Sequence, residues 1–114
     1  MTLLVRMQGA LDFYSVRDAK RLLLDQLELR PRRLVIDVSH AFVDSSGIGL
    51  LVHVAQRVSM ERGRLRIVCD RRLAGLLRVH RLDSLIPIAE TVDDALERTA
   101  VRAPRTPEAM RRVA

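Results

Sequence analysis

The sequence predicts a single α/β domain with parallel strands, and three observations predict it. Short apolar runs alternate with amphipathic stretches four times along 114 residues. The run Leu34-Val35-Ile36-Asp37-Val38 is rich in β-branched residues, the pattern of a parallel strand buried on both faces. Breakers separate the segments: Gly9, Pro31, Gly63 and Pro87. Strictly alternating strands and helices give parallel strands joined by crossover helices. The length fits one domain.

The elements follow in order. Leu3 to Met7 reads as a short strand that Gly9 ends, with Leu11-Asp12 in the loop after it. Ser15 is placed to cap a helix from Val16 to Leu29. Its apolar stripe is Val16, Ala19, Leu23 and Leu27, at steps of three and four. Asp18, Arg21, Asp25 and Glu28 cover the outer face, and Arg30-Pro31 stops the helix. Leu34 to Val38 is the second strand, and Ser39 to Ser45 a loop. A second helix spans Ser46 to Glu61, with Ile48, Leu51, Val52, Ala55 and Val58 inward and Gly63 as its stop. Leu65, Ile67 and Cys69 alternate with Arg64 and Arg66, the period of a strand. Asp70 can cap a third helix, Arg71 to Val79. Leu85 to Ile88 reads as a terminal strand whose proline places it at an edge. Thr91 caps a last helix, Val92 to Val101, with Asp93 and Asp94 in the turn where the helix dipole favours them. From 102 to 114, prolines and arginines read as a basic, disordered tail. No internal repeat is present.

Composition narrows the function classes. The chain is 48% hydrophobic and 30% charged, ordinary for a globular domain. One cysteine, Cys69, permits no internal disulfide and suits a reducing compartment. No apolar run is long enough to span a membrane, and the N-terminus lacks the plan of a secretion signal. A cytoplasmic protein without membrane contact is the expectation. The net charge is +6, and about half of it arises beyond residue 101, where Arg102, Arg105, Arg111 and Arg112 face Glu108. With Phe13, Tyr14 and Phe42 as the whole set of rings, stacking on bases is poorly provided for, so direct nucleic-acid binding is not expected.

The informative stretch runs from Arg33 to Val52: a buried strand, a connection, then Asp44-Ser45-Ser46-Gly47 opening a helix. Asp44 and Ser45 fall in the N-cap region, where free backbone N–H groups and the positive dipole end point. A serine there is accessible, and a phosphate on it is tolerated within its own domain. Gly47 and Gly49 keep the first turn slim, so another protein can come close. Asp-Ser-Ser is also excellent capping chemistry, and spacing alone asks no more of it.

These residues, with their flanks, resemble a STAS domain of the anti-sigma factor antagonist family. The resemblance covers Leu3 to Val101. Gly9-Ala10-Leu11-Asp12 resembles the family's Gly-Glu-Leu-Asp, with Ala10 in place of the acid. Arg33 to Val38 resembles its Val-Asp-Leu-Ser strand, and Gly63 to Val68 its Gly-Gly-x-Leu-x-Leu strand. Asp44-Ser45-Ser46-Gly47-Ile48-Gly49 resembles the signature Asp-Ser-Ser/Thr-Gly-Leu-Gly. The resemblance implies a STAS-like α/β fold: one mixed or parallel sheet of about four strands with helices packed on it. It also implies a function. The unmodified protein binds an anti-sigma factor that is also a serine kinase and so frees a sigma factor. The kinase, using its own ATP, phosphorylates Ser45, which abolishes binding, and a phosphoserine phosphatase resets the cycle. Asp44, Ser46, Gly47, Ile48 and Gly49 would support this site, with Asp12 and Asp37 as candidates to flank the same end of the sheet. The alternative is a constitutive STAS scaffold or transporter-accessory domain that is never phosphorylated.

The resemblance implies a further strand ahead of the one that Gly9 ends, and with eight residues before Gly9 that strand reads as missing or very short: either the true start lies upstream, or a sheet edge is uncovered and invites a homodimer. Enzymatic activity and cofactors are not expected. Ser45, His53 and Asp44 can be written as a triad, but His53 lies two turns along the same helix, out of reach of Ser45. Gly47-Ile48-Gly49 lacks the remainder of a phosphate loop. His40, His53 and His80 have no metal-ligand spacing. Cys69 reads as core. His53, Gln56, Arg57 and Met60 lie on the outer face of the second helix, either solvated or touching a partner.

Overall fold

The structure is a computed structural model and describes residues 1–99. The basic tail expected at 102–114, and the expected end of the last helix at Val101, lie outside the described residues. Eight elements alternate: β1 Thr2–Leu11, α1 Val16–Leu27, β2 Arg33–Val43, α2 Ser45–Met60, β3 Arg64–Val68, α3 Arg71–Val79, β4 Ile88–Ala89 and α4 Val92–Thr99. The strands form one sheet in the order β1-β2-β3-β4, and each neighbouring pair is parallel. The expected α/β sheet of about four strands is therefore present, and it is wholly parallel rather than mixed.

The two faces of the sheet are covered unequally. One carries the main core. Leu3, Val5, Met7, Leu34, Ile36, Leu65 and Ile67 pack there with Leu23 and Leu27 of α1, Leu51 and Val54 of α2, and Leu73 and Leu77 of α3. The other carries a small cluster of Leu4, Val35, Val68 and Ala89 under Ala95 of α4. Every one of these side chains is aliphatic. Burial of such side chains, about 1.5–3 kcal/mol each, holds the layers together.

Several boundaries differ from the sequence reading. The first strand runs on through Gly9 to Leu11, and the second to Val43, so the expected loop at Ser39–Ser45 is mostly strand. The cause is a β-bulge. Arg6 pairs with Asp37, but Gln8 pairs with His40, so β2 carries one extra residue at this point. The extra residue resets the alternation, so that Val38 before it and Ala41 and Val43 after it all face the core. A strict period of two fails across a bulge, and the run looks irregular in sequence. Asp37 Oδ1 accepts from the Ser39 N–H at 3.0 Å and the Ser39 hydroxyl at 2.6 Å, fastening the bulge. The fourth strand is shorter and later than expected, at Ile88–Ala89, and it does lie at an edge. Pro87 precedes it and lends its carbonyl to the Ile67 N–H. Helix α1 ends at Leu27, two residues early, as Arg30 takes a φ of 49° before Pro31. Strand β1 forms the opposite edge, unpaired on its outer side among the described residues.

Candidate functional site

In a parallel sheet all strands end on one side of the molecule, so the connections after β1 and β2 are neighbours in space. The Asp44 N–H donates to the Leu11 carbonyl at 3.2 Å and starts the junction. Asp44 is in extended conformation and caps α2. Its Oδ1 accepts from the N–H groups of Ser46, at 2.8 Å, and Gly47, at 3.1 Å. Its Oδ2 accepts from the Phe13 N–H at 3.3 Å. One carboxylate thus holds the start of α2 and the β1–α1 connection together.

Asp12 shapes that connection. Its Oδ1 accepts from the N–H groups of Tyr14, at 2.9 Å, and Ser15, at 3.0 Å. Ser15 does not cap α1 with its side chain, contrary to the sequence reading. Its hydroxyl donates to the Ala10 carbonyl at 2.6 Å and accepts from the Asp12 N–H at 3.0 Å. The turn after β1 uses the hydroxyl before the helix can.

Because Asp44 supplies the cap, Ser45 is left as the first residue of α2 rather than a cap itself. Ser45 is exposed, and its hydroxyl makes no hydrogen bond among the described residues. Ser46 and Ile48 are half-buried, Gly47 is buried and Gly49 is exposed. Gly47 has a structural reason. A Cβ there would stand 2.5 Å from the Leu11 carbonyl oxygen and 2.7 Å from Val43 Cγ1. The structure therefore brings Asp12, Asp44, Ser45, Ser46, Gly47, Ile48 and Gly49 to one end of the sheet. Asp37 is not among them. It sits within β2, buried, on the face away from α1 and α2, and its Oδ2 accepts from Arg6 Nε at 3.1 Å. Its work is to balance Arg6 and fasten the bulge.

Composition alone undervalued the rings. Phe13 is 73%, Tyr14 89% and Phe42 57% exposed, and the chain has no other aromatic residue. All three follow or end β1 and β2 on the Ser45 side. Phe13 and Tyr14 meet edge to face with centroids 5.6 Å apart. Arg72, from α3, lies 4.7 Å over the Phe42 ring and donates to the Val43 carbonyl at 2.7 Å, two residues before Ser45. Exposed rings beside a cation are the usual anchors of protein interfaces. The signal in sequence was their place: no ring falls on a core position of any helical stripe, and two fall in a connection.

Among the described residues, no three of His, Cys, Asp and Glu gather as metal ligands would, and no helix is long and apolar enough to cross a membrane. Among the described residues the one strongly shifted group is Cys69, remote in sequence from this site. Its burial and then the neighbouring Asp70 charge push the thiol from an ordinary 9.0 up to about 11, against a smaller downward pull from Arg78.

The chain belongs to the STAS domain family, whose model matches residues 1–95. No curated protein matches it in sequence. Solved structures share its fold. An anti-sigma factor antagonist from Mycobacterium paratuberculosis superposes with a TM-score of 0.73 at 24% identity, over 81% of this chain and 80% of the other. The anti-sigma factor antagonist SpoIIAA in its unphosphorylated form gives 0.70 at 20% identity, over 85% and 86%. The phosphorylated form of the Bacillus cell fate determinant SpoIIAA gives 0.66 at 20% identity, over 89% and 91%.

Proposed function

We propose that this protein is an anti-sigma factor antagonist of the cytoplasm, switched by phosphorylation of Ser45. The observation that carries the reading is the exposed Ser45 hydroxyl at the first position of α2, beside a carboxylate already committed to backbone N–H groups. The likeness to SpoIIAA, solved in both phosphorylation states, supports it. In this reading the unmodified protein docks an anti-sigma factor that is also a serine kinase, and a sigma factor is released. The kinase brings the ATP, and this chain contributes the acceptor hydroxyl. A phosphate adds about −1.5 to −2 charges next to Asp44 and inside the docking face. The dipole of α2 offsets part of that charge inside the domain. A partner surface built for the neutral hydroxyl gains no such relief, and about 1.4 kcal/mol of lost contact is already tenfold in affinity. A phosphoserine phosphatase would return the protein to its binding form.

The test is to incubate the protein with candidate anti-sigma kinases and ATP and to map any phosphate by mass spectrometry. Phosphate on Ser45, lost in Ser45→Ala, is the expected result. Ser45→Asp is expected to weaken kinase binding about tenfold or more. A Ser45→Ala protein that remains fully modified overturns the reading. A protein that binds partners but is modified by none of them is instead a constitutive STAS scaffold. The open outer edge of β1 supports the expectation of a homodimer through that edge; sedimentation that shows only monomer at high concentration removes it.

A further inference from the structure

Helix α2 carries two glycines, and only one has a reason inside the molecule. Gly47 lets the helix approach β1, as described. At Gly49 a Cβ would meet nothing within 4 Å. A glycine inside a helix is destabilising relative to alanine, and no internal contact compensates for it here. Gly49 is exposed and lines a groove of about 450 Å³ between α1 and α2, together with Val16, Arg17, Lys20, Leu50 and His53. Ser45, Gly49 and His53 are spaced by four residues, so they share one face of α2, with Ser45 one turn before Gly49. The exposed rings of Phe13 and Tyr14 lead into the same end of α1.

The charges around the groove are one-sided. Arg17 and Lys20 are exposed and make no ion pair among the described residues. The nearby carboxylates of Asp12 and Asp44 are turned to backbone N–H groups. Asp18, although next to Arg17 in sequence, is not on the same helical face as either cation's groove side. An apolar floor formed by Val16 and Leu50 is thus rimmed by free cations, with a bare helix backbone at Gly49.

We propose that this groove receives an acidic segment of the partner protein, with an apolar side chain seated over Gly49 and its carboxylates on Arg17 and Lys20. The partner's identity rests on the function proposed above; the groove's preference does not. A phosphate on Ser45 would then repel the carboxylates of that segment and compete with them for the same cations. This gives the switch a local mechanism without a change of fold.

The test titrates the full-length, ¹⁵N-labelled protein with two helical peptides, one of glutamate and leucine, the other of lysine and leucine. The acidic peptide is expected to move the amides of Val16, Arg17, Lys20, Gly49, Leu50 and His53. The basic peptide is expected to move none of them. The double variant Arg17→Glu, Lys20→Glu should lose affinity for the acidic peptide by on the order of tenfold and gain affinity for the basic one. Gly49→Leu should also lose about tenfold, whereas Gly75→Leu in α3, where a Cβ likewise meets nothing within 4 Å, should not. Equal binding of both peptides, shifts away from the groove, or equal effects of the two leucine variants overturn the proposal. A kinase found to modify Ser45 supplies the second arm: it should act more slowly on Gly49→Leu and on the charge-reversed protein. Wild-type rates on both would sink the groove while leaving the Ser45 reading intact. If no kinase modifies Ser45 but the acidic peptide still fills the groove, the reverse holds.

Discussion

Asp44 does more than the capping residue that its sequence position suggests. Three backbone N–H groups, two from the start of α2 and one from the β1–α1 connection, converge on its carboxylate, so its removal opens the α2 start and frees the Phe13 turn together. Asp44→Ala is expected to lower stability by about 1–2 kcal/mol, the usual cost of a lost cap, read as a shift of the urea midpoint. Asp44→Asn retains an oxygen acceptor and should recover most of the loss. No change in Asp44→Ala would mean that water replaces the carboxylate at no cost. The same residue explains the accessibility of Ser45. With the cap supplied one position earlier, the Ser45 hydroxyl has no structural duty, as the modification proposed above requires.

At the scale of elements, α2 is held on β1 by an absence. Gly47→Ala places a methyl group against backbone and a buried valine, neither of which can yield easily. A loss of about 1–3 kcal/mol is expected, the range for overpacking. Gly49→Ala, two residues on, should instead stabilise the protein by about 0.5–1 kcal/mol, since the helix gains and nothing is hit. Thermal melts of the two variants should therefore move in opposite directions, and movement in the same direction would contradict the placement of α2. Strand β2 makes the complementary point. Its bulge at Val38-Ser39, fastened by Asp37, returns Ala41 and Val43 to the core and turns Phe42 outward to meet Arg72. Nothing local announces a bulge; it is decided by pairing with β1.

For the whole molecule, the aliphatic core and its buried thiol set the response to alkali. Cys69 titrates near 9.0 when exposed and near 11 when folded, with burial as the main cause. Its contribution is fully present below pH 9, where the thiol is neutral in both states. Between pH 9 and 11 the unfolded chain ionises first, so stability falls as pH rises through this window. The stability difference between the native protein and Cys69→Ala should be flat below pH 9 and shift towards Cys69→Ala above it. A difference that stays flat to pH 11 would show that the thiol is not buried as described. By the same burial, Cys69 should resist alkylation at neutral pH until the protein is unfolded, since the thiolate is the reactive form.

Local sequence carries the alternation of strands and helices, the caps at Asp44, Asp70 and Thr91, and the candidate serine. Each of these is written in residues within a few positions of one another: apolar periods, a capping side chain, a breaker. Even Gly47 and Gly49 were legible as a pair of slim positions. Only the tertiary structure separated them, because one faces β1 and the other faces open space. It also moved Asp37 from the candidate site to a bulge and drew Phe13, Tyr14, Phe42 and Arg72 from three separate stretches to the rim around Ser45. These outcomes depend on which residues a parallel sheet brings to its common end. That is fixed by strand order and register across about 30 residues of chain or more, a distance over which local patterns carry no information.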